Sequence, residues 1–200
     1  QSVGNAPIEL VTNRTGSSGI YIRNTIGHTT GDITIISDAT IVTNGSNSIS
    51  AATSGVNYTY YANGIAAYNY ESNSTGNITI TNRGRISTYG AGANSGIKAE
   101  QKGSGEVTIN HLAGYISTAG NGAHGIAIDA QSTSLASTGA ITVDSRGRIE
   151  TAGVGAHGIW IDSKSNSNTK VSNSGNIAVV SNSSKGIYAR NAAATTGNIT

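Results

Sequence analysis

The sequence predicts an all-β fold, a right-handed parallel β-helix with three strands in each coil of about 30 residues. Three observations predict it. Ile and Val supply most of the large apolar side chains at a spacing of two, 27 glycines separate short segments, and a three-strand unit recurs along the chain. Because disordered tracts lack regularly spaced β-branched residues, we expect the chain to fold. One unit cannot bury its own apolar face, so the coils must stack.

The first strand of each coil is marked by a Gly-Ile pair. These pairs place the coil starts near residues 19, 64, 96, 125, 158 and 186. In a β-helix, equivalent residues of successive coils lie about 4.8 Å apart, so the isoleucines of the pairs are expected to form one inward column of the core.

The second and third strands follow each pair at regular intervals. Second strands are expected at residues 32–35, 77–80, 106–109, 140–143, 169–171 and 198–200, and third strands at residues 40–43, 85–88, 115–118, 148–151 and 176–179. In regular coils the third strand ends seven residues before the next pair, as from Thr118 to Gly125. Each coil is therefore expected to end in a short turn.

Thr12 and Gly19 show the same seven-residue spacing. This spacing makes residues 1–18 a partial first coil, and residues 1–200 a single β-helix domain. Repeat arrays usually end in atypical capping sequence, and neither end of the sequence shows one. We therefore expect the chain to be a fragment of a longer solenoid.

The turn between Thr43 and Gly64 breaks the pattern because it spans 21 residues instead of seven. The extra residues form a predicted insertion loop at 46–62, and loops that interrupt a regular scaffold often carry function. This segment is rich in tyrosine, which suits a binding surface. The predicted binding residues are Tyr58, Tyr60 and Tyr61 in the insertion and Tyr68 soon after it.

A second group of predicted binding residues lies where third strands begin. Two Arg-Gly-Arg triplets stand in the same register two coils apart, with a tyrosine between them. Guanidinium groups bind oxyanions through paired hydrogen bonds and stack on aromatic rings, which suits a sulfated or phosphorylated sugar. A surface ladder whose charges satisfy one another is the alternative. The residues are Arg83, Arg85, Tyr115, Arg146 and Arg148.

Three carboxylates stand at one outward position of consecutive first strands, in Glu100, Asp129 and Asp162. Paired carboxylates at this spacing suit glycoside cleavage or a calcium site. The alternative is a solvated acidic stripe, because exposed like charges are screened at small cost. In that alternative the stripe is relieved by Lys98, Lys164 and Arg190.

Aromatic and imidazole side chains mark two further columns. His124 and His157 precede the Gly-Ile pair in consecutive coils, where a turn role is expected because no third metal ligand has suitable spacing. Trp160 falls in an outward column and is a predicted contact residue. No nucleophile elbow, phosphate loop or zinc motif occurs, so the sequence predicts no catalytic residue, metal or cofactor.

The composition excludes several classes of partner and site. With 12 Lys+Arg against 10 Asp+Glu, the formal net charge of +2 argues against nucleic-acid binding. The absence of cysteine excludes a disulfide framework. No apolar run is long enough to predict a membrane-spanning helix.

The segments GNITI at 76–80, GRIST at 84–88, SGIKA at 95–99 and AHGIWI at 156–161 resemble the passenger domain of a bacterial autotransporter, of the β-helical adhesin and virulence-factor type. The resemblance implies secretion or display at the bacterial cell surface, and a C-terminal outer-membrane β-barrel in the full protein. It also implies a host cell-surface protein or glycan as the partner.

The first functional hypothesis is therefore an adhesin-like interaction module that is not an enzyme. Three alternatives remain open. A released passenger could act as a growth-factor-like, pro-angiogenic effector of a host receptor. The carboxylate column could belong to a polysaccharide-cleaving β-helix enzyme, or the coils could form only a structural stalk.

Overall fold

The computed structural model describes residues 9–24, 30–46, 48–51, 57–131, 139–164, 168–191 and 197–200, with residues 48–51 and 57–60 as backbone strands only. These residues form strands and no helix, as the sequence predicts. In chain order the strands are β1 (Glu9–Thr12), β2 (Ile20–Asn24), β3 (Ile33–Ser37), β4 (Thr40–Thr43), β5 (Ser48–Ala51), β6 (Asn57–Tyr60), β7 (Ile65–Asn69), β8 (Ile78–Asn82), β9 (Arg85–Thr88), β10 (Ile97–Gln101), β11 (Val107–His111), β12 (Tyr115–Thr118), β13 (Ile126–Ala130), β14 (Ile141–Ser145), β15 (Arg148–Thr151), β16 (Ile159–Ser163), β17 (Thr169–Asn173), β18 (Ile177–Val179) and β19 (Ile187–Asn191).

Three parallel sheets run along the solenoid, one for each strand position in a coil. The first-strand sheet has the order β2-β7-β10-β13-β16-β19, the second-strand sheet β3-β8-β11-β14-β17, and the third-strand sheet β1-β4-β9-β12-β15-β18. Within the predicted insertion, β5 pairs with β6 in an antiparallel hairpin. The predicted parallel β-helix with three strands per coil is confirmed.

The core consists of inward columns of β-branched side chains. In the first-strand sheet, Ile65, Ile97, Ile126 and Ile159 are register partners in successive coils and have no exposed surface. The isoleucines of the third strands form a matching column, in which Ile86, Ile116 and Ile149 are fully buried. Each such side chain stabilises the fold by about 1.5–3 kcal/mol, so stacking supplies the core that one coil lacks.

Close packing requires the glycine in five of the six Gly-Ile pairs, at residues 19, 64, 96, 125 and 158. A Cβ atom on Gly125 would lie 2.3 Å from Cγ2 of Ile149 and 2.6 Å from the carbonyl oxygen of Gly158. Gly64, Gly96 and Gly158 meet the equivalent isoleucines at 2.2–2.3 Å. The pair that marks each coil in the sequence is therefore the point where the first strand packs against the third.

Threonine side chains fix the turn that follows the third strand in five of the coils, those in which the strand ends at Thr12, Thr43, Thr88, Thr118 or Thr151. Thr118 Oγ1 donates a hydrogen bond to the carbonyl oxygen of Ala123 at 2.5 Å, and Thr151 Oγ1 to that of Ala156 at 2.9 Å. Thr43 makes the same bond to Ala62 across the insertion, at 2.8 Å. Because Thr43, Thr118 and Thr151 are buried, each of these bonds satisfies groups that would otherwise be unpaired.

Replacing Gly125 by alanine is expected to destabilise the solenoid by about 1–3 kcal/mol, because the added methyl group overpacks the contact with Ile149. Urea unfolding measures the change. Gly186→Ala is the matched control, since a Cβ there meets only Cγ2 of Ile177 at 3.9 Å, and its free energy of unfolding should change by less than about 0.5 kcal/mol. Equal effects of the two substitutions would refute this account of the Gly-Ile pair.

Candidate functional site

A cleft of about 210 Å³ lies on the outer face of the first-strand sheet. Alternation along the strands turns Lys98 and Glu100 of β10 outward, together with Ala127 and Asp129 of β13 and Trp160 of β16. These residues are brought side by side by the register, in which Lys98 pairs with Ala127 and Ala127 with Trp160. Because Ala127 has only a methyl group, it leaves space between its two large neighbours.

Tyrosine rings line one side of the cleft. Tyr68 and Tyr70 stack with their ring centroids 5.3 Å apart and an interplanar angle of 13°, and Tyr61 lies beside them. Tyr68 is only 4% exposed, although it points away from the core. Burial raises the pKa of both Tyr68 and Tyr70, so both phenols stay neutral and can donate a hydrogen bond.

The indole of Trp160 lines the opposite side. It stacks on the ring of His124 with centroids 5.2 Å apart and an interplanar angle of 4°. Lys98 Nζ lies 5.4 Å from the centroid of the indole, within the range of a cation–π contact. The indole is half-buried, so part of its surface remains available to a ligand.

Charged groups with unused hydrogen-bonding capacity lie between the two aromatic sides. Lys98 Nζ is 3.9 Å from Asp129 Oδ2, which is an ion pair but too long for a direct hydrogen bond. Asp129 Oδ1 is buried and has no hydrogen-bond partner among the described residues. Burial lowers the pKa of Lys98, although Asp129 and Glu100 oppose the shift. Unpaired buried polar atoms are uncommon and costly, which makes this cluster the strongest candidate site.

The three carboxylates predicted to form a column do so, but they are not equivalent. Glu100, Asp129 and Asp162 are register partners in consecutive coils. Asp162 is held by Arg190 through two hydrogen bonds of 3.0 and 2.6 Å and is not among the residues that line the cleft. Glu100 lies 3.4 Å from Lys102 Nζ. Asp129 has the 3.9 Å ion pair with Lys98 but no hydrogen-bond partner at Oδ1, and the enzymatic hypothesis stays a prediction.

The cations expected to relieve the acidic stripe do so in two of three cases. Lys98 and Arg190 each contact a carboxylate of the column. Lys164 instead donates a hydrogen bond to Gln131 Oε1 at 3.1 Å. The stripe is therefore largely neutralised by neighbouring coils.

Asn94 fastens the base of the insertion, and sequence reasoning missed this residue. Its Nδ2 donates to the carbonyl oxygen of Gly45 at 3.1 Å, and its Oδ1 accepts from the backbone N–H of Ala62 at 2.8 Å. It thus ties both ends of the insertion to the next coil and fixes the position of Tyr61. One signal was present, since the turn from Thr88 to Gly96 spans eight residues instead of seven.

Three of the predicted aromatic binding residues, Tyr61, Tyr68 and Trp160, line the cleft together. The side chains of Tyr58 and Tyr60 lie outside the described residues, and only their place in β6 is known. Lys98, His124 and Asp129 were not among the predicted binding residues. Their convergence follows from the direct pairing of β10 with β13, since His124 lies in the turn that precedes β13.

The arginine column lies on a different face, the outer face of the third-strand sheet. The guanidinium groups of Arg85 and Arg148 lie 5.5 and 5.4 Å from the centroid of the Tyr115 ring, one on each neighbouring coil. Tyr115 donates a hydrogen bond to Glu150 Oε2 at 2.5 Å, and Arg148 bonds the same oxygen at 3.0 Å. The predicted Arg-Tyr-Arg stack therefore exists, but it is separate from the cleft.

The other two arginines of the triplets, Arg83 and Arg146, are each paired with a carboxylate. Arg83 makes two hydrogen bonds to Asp38, at 2.7 and 3.1 Å, and Arg146 bonds Asp144 Oδ2 at 2.7 Å. Each pairing lowers the pKa of its carboxylate through the arginine hydrogen bonds. This pattern favours the self-satisfied ladder over an open oxyanion clamp.

His124 and His157 have the predicted turn role, with a defined geometry. Nδ1 of His124 accepts a hydrogen bond from the backbone N–H of His157 at 3.0 Å, and Nδ1 of His157 accepts from that of Lys185 at 2.9 Å. Oδ1 of Asn63 plays the same part for Ser95 at 2.8 Å. The rings stack 5.1 Å apart, so this column both links coils and supports Trp160.

Burial, with smaller contributions from His157 and Lys98, lowers the pKa of His124 to about 3. A ring whose Nδ1 accepts a backbone N–H must be neutral at that nitrogen, which agrees with the direction of the shift. Burial likewise lowers the pKa of His157. Protonation of either ring therefore opposes the link between coils.

Comparison with protein-family models, curated proteins and solved structures gives no match to this chain. Among the described residues, no cluster of three or more His, Cys, Asp or Glu side chains is arranged to hold a metal ion. The same part of the chain contains no helix with the length and apolar character needed to cross a membrane.

The stability of the protein is expected to fall as the pH is lowered from about 6.5 toward 3. The unfolded state binds a proton at His124 near pH 6.5, whereas the folded state does so only near its pKa of about 3. The contribution of His124 to the free energy of unfolding is therefore complete above pH 6.5. Below that pH it decreases by up to about 1.4 kcal/mol per pH unit. Urea unfolding at several pH values measures this slope.

His124→Asn is the matched variant, because Asn63 shows that an asparagine at this position supplies a non-titrating acceptor. Its slope should be shallower than that of the wild type, with the remainder due to His111 and His157, whose pKa values burial also lowers. An unchanged slope would show that His124 does not carry the pH dependence.

Proposed function

We propose that this chain is an interaction module that binds a host cell-surface glycan through the cleft on the first-strand sheet. The observation that carries the proposal is the Lys98–Asp129 pair, which has unused hydrogen-bonding capacity and lies between Trp160 and the tyrosine rings. A sugar supplies both kinds of contact, since its ring carries apolar C–H faces and its hydroxyl groups donate and accept hydrogen bonds.

The resemblance to autotransporter passengers supports placing this binding activity at the bacterial cell surface or outside the cell. A rigid solenoid displayed on the bacterial surface or released from it would present the cleft to host cells on an extended, regular rod. The partner in that setting is a glycan on a host protein or lipid. The proposal therefore keeps the adhesin-like hypothesis and assigns it a site.

The cleft is preferred to the arginine column as the binding surface for an electrostatic reason. Arg83, Arg146 and Arg148 each contact a carboxylate of this chain. An incoming oxyanion would have to displace those carboxylates or approach next to them, which weakens its attraction to the guanidinium groups. Asp129 and Lys98 have no hydrogen bond between them to displace.

Trp160→Ala is expected to weaken binding to host cells at least tenfold, because it removes the indole that forms one of the two aromatic sides of the cleft. Tyr188→Ala is the matched control, since Tyr188 is the register partner of Trp160 in the next coil and stacks on His157 as Trp160 stacks on His124. Flow cytometry with fluorescently labelled protein measures the binding. The proposal fails if Trp160→Ala binds as well as the control.

Deletion of residues 47–60 tests the insertion separately. The deletion joins Ser46 to Tyr61 and restores the seven-residue spacing from Thr43 to Gly64 found in the regular coils. The variant should fold, keep Tyr61 in the cleft, and bind host cells more weakly, because it lacks Tyr58 and Tyr60.

Circular dichroism and urea unfolding check that the shortened chain folds. If this folded variant binds host cells as strongly as the wild type, the hairpin makes no contact with the partner. The binding surface would then be confined to the cleft.

A further inference from the structure

Resting on the proposed glycan-binding function, we infer that the cleft selects a single uncharged pyranose ring, and that Lys98 and Asp129 determine this specificity by sharing a hydroxyl group of the sugar. The inference concerns the chemical class of the ligand. Three properties of the cleft carry it: the separation of the two charged groups, the balance of charge, and the volume.

The separation of Lys98 and Asp129 fits one bridging hydroxyl group. Nζ and Oδ2 are 3.9 Å apart, whereas a hydroxyl oxygen can lie about 2.8 Å from each of them at the same time. In that position the hydroxyl accepts a hydrogen bond from the ammonium group and donates one to the carboxylate. Bonds to ionised groups are the stronger kind, so this one group would orient the sugar.

Each carboxylate in the lining of the cleft faces a lysine, which disfavours a charged sugar. Lys98 in the lining lies 3.9 Å from Asp129, and Lys102, outside the lining, lies 3.4 Å from Glu100. The carboxylate of an acidic sugar placed beside Lys98 would also lie close to Asp129, and the ammonium group of an amino sugar placed beside Asp129 would lie close to Lys98, because the two side chains are only 3.9 Å apart. Both arrangements bring like charges together in a partly buried site, where screening is weak: Lys98 and Asp129 are 17% and 18% exposed. An uncharged ring avoids both costs.

The volume limits the ligand to one ring. The cleft holds about 210 Å³, below the roughly 300–1,000 Å³ of pockets that enclose drug-sized ligands. Trp160 offers an aromatic surface on one side and Tyr68 and Tyr70 on the other. The ring bound here is therefore a terminal sugar of a glycan, with the rest of the chain outside the cleft.

Isothermal titration calorimetry of the 200-residue chain tests the inference with methyl glycosides of glucose, galactose, mannose and fucose as probes. Methyl glucuronide and glucosamine supply the acidic and cationic comparisons with glucose. At least one neutral glycoside should bind with a Kd on the order of 1 mM, as weak single-site recognition predicts. The two charged sugars should bind at least tenfold more weakly than the best neutral probe.

Two kinds of variant test the residues. Asp129→Asn and Lys98→Gln should each weaken binding of the neutral probe about tenfold or more, since each removes an ionised partner of the hydroxyl. Ala127→Tyr should abolish binding by filling the cleft; the same outward column already holds Tyr21, Trp160 and Tyr188, so this variant is expected to fold. Asp144→Asn, on the second-strand sheet, is the charge-matched control and should bind normally.

The outcomes separate this inference from the proposed function. Tighter binding of methyl glucuronide or glucosamine, lost in Ala127→Tyr, would overturn the choice of a neutral sugar while leaving glycan binding in the cleft intact. Neutral binding that is unaffected by both Asp129→Asn and Lys98→Gln would remove these two residues from the specificity. If no sugar binds although Trp160→Ala still loses cell binding, the ligand is a protein and the glycan-binding function itself is wrong.

Discussion

The stacking of each coil on the next is the constraint on which the rest of this structure depends. Backbone hydrogen bonds join equivalent strands of successive coils, such as the N–H of Ile97 to the carbonyl oxygen of Gly125 and that of Ile126 to Gly158, both at 2.9 Å. Since the spacing between coils is fixed, every side chain has its equivalents above and below as nearest neighbours. Isoleucines then form the core, threonines and asparagines close the turns, and a glycine is required where the first and third strands approach.

The same constraint explains why the surface forms columns and where a site can arise. Side chains of similar size stack without a gap, as His124 and His157 do, and charges find partners on the neighbouring coils, as Arg83 does in Asp38. A cleft appears where a small residue interrupts a column of large ones. Ala127 between Lys98 and Trp160 is such an interruption, and the insertion closes one end of the space with Tyr61. The candidate site is therefore a local exception to the repeat.

Much of the fold could be predicted from the sequence because every coil repeats the same pattern of residues. Recognising that pattern once therefore locates the strands of all coils. The Gly-Ile pair and the period of two identify the strands independently of any distant contact. The Arg-Tyr-Arg stack was predicted for the same reason, since equal positions in the repeat become neighbours. The pairing of Arg83 with Asp38 was not predicted, although Asp38 stands at the aligned position of the preceding coil and the same reasoning would have found it. Asn94 was missed because its partners, Gly45 and Ala62, are brought together only by the path of the insertion.

The chain has a single tryptophan, so the indole N–H resonance of Trp160 reports on the cleft without ambiguity. The most direct measurement is a nitrogen-15 NMR titration of the 200-residue chain with the methyl glycosides of glucose, galactose, mannose and fucose. The account predicts that at least one of them shifts the Trp160 indole resonance and the amide of Asp129 with a common saturation curve, while the amides of Arg85, Tyr115 and Arg148 stay in place. Shifts confined to those three residues, or no shift at Trp160 with any of the sugars, would contradict it.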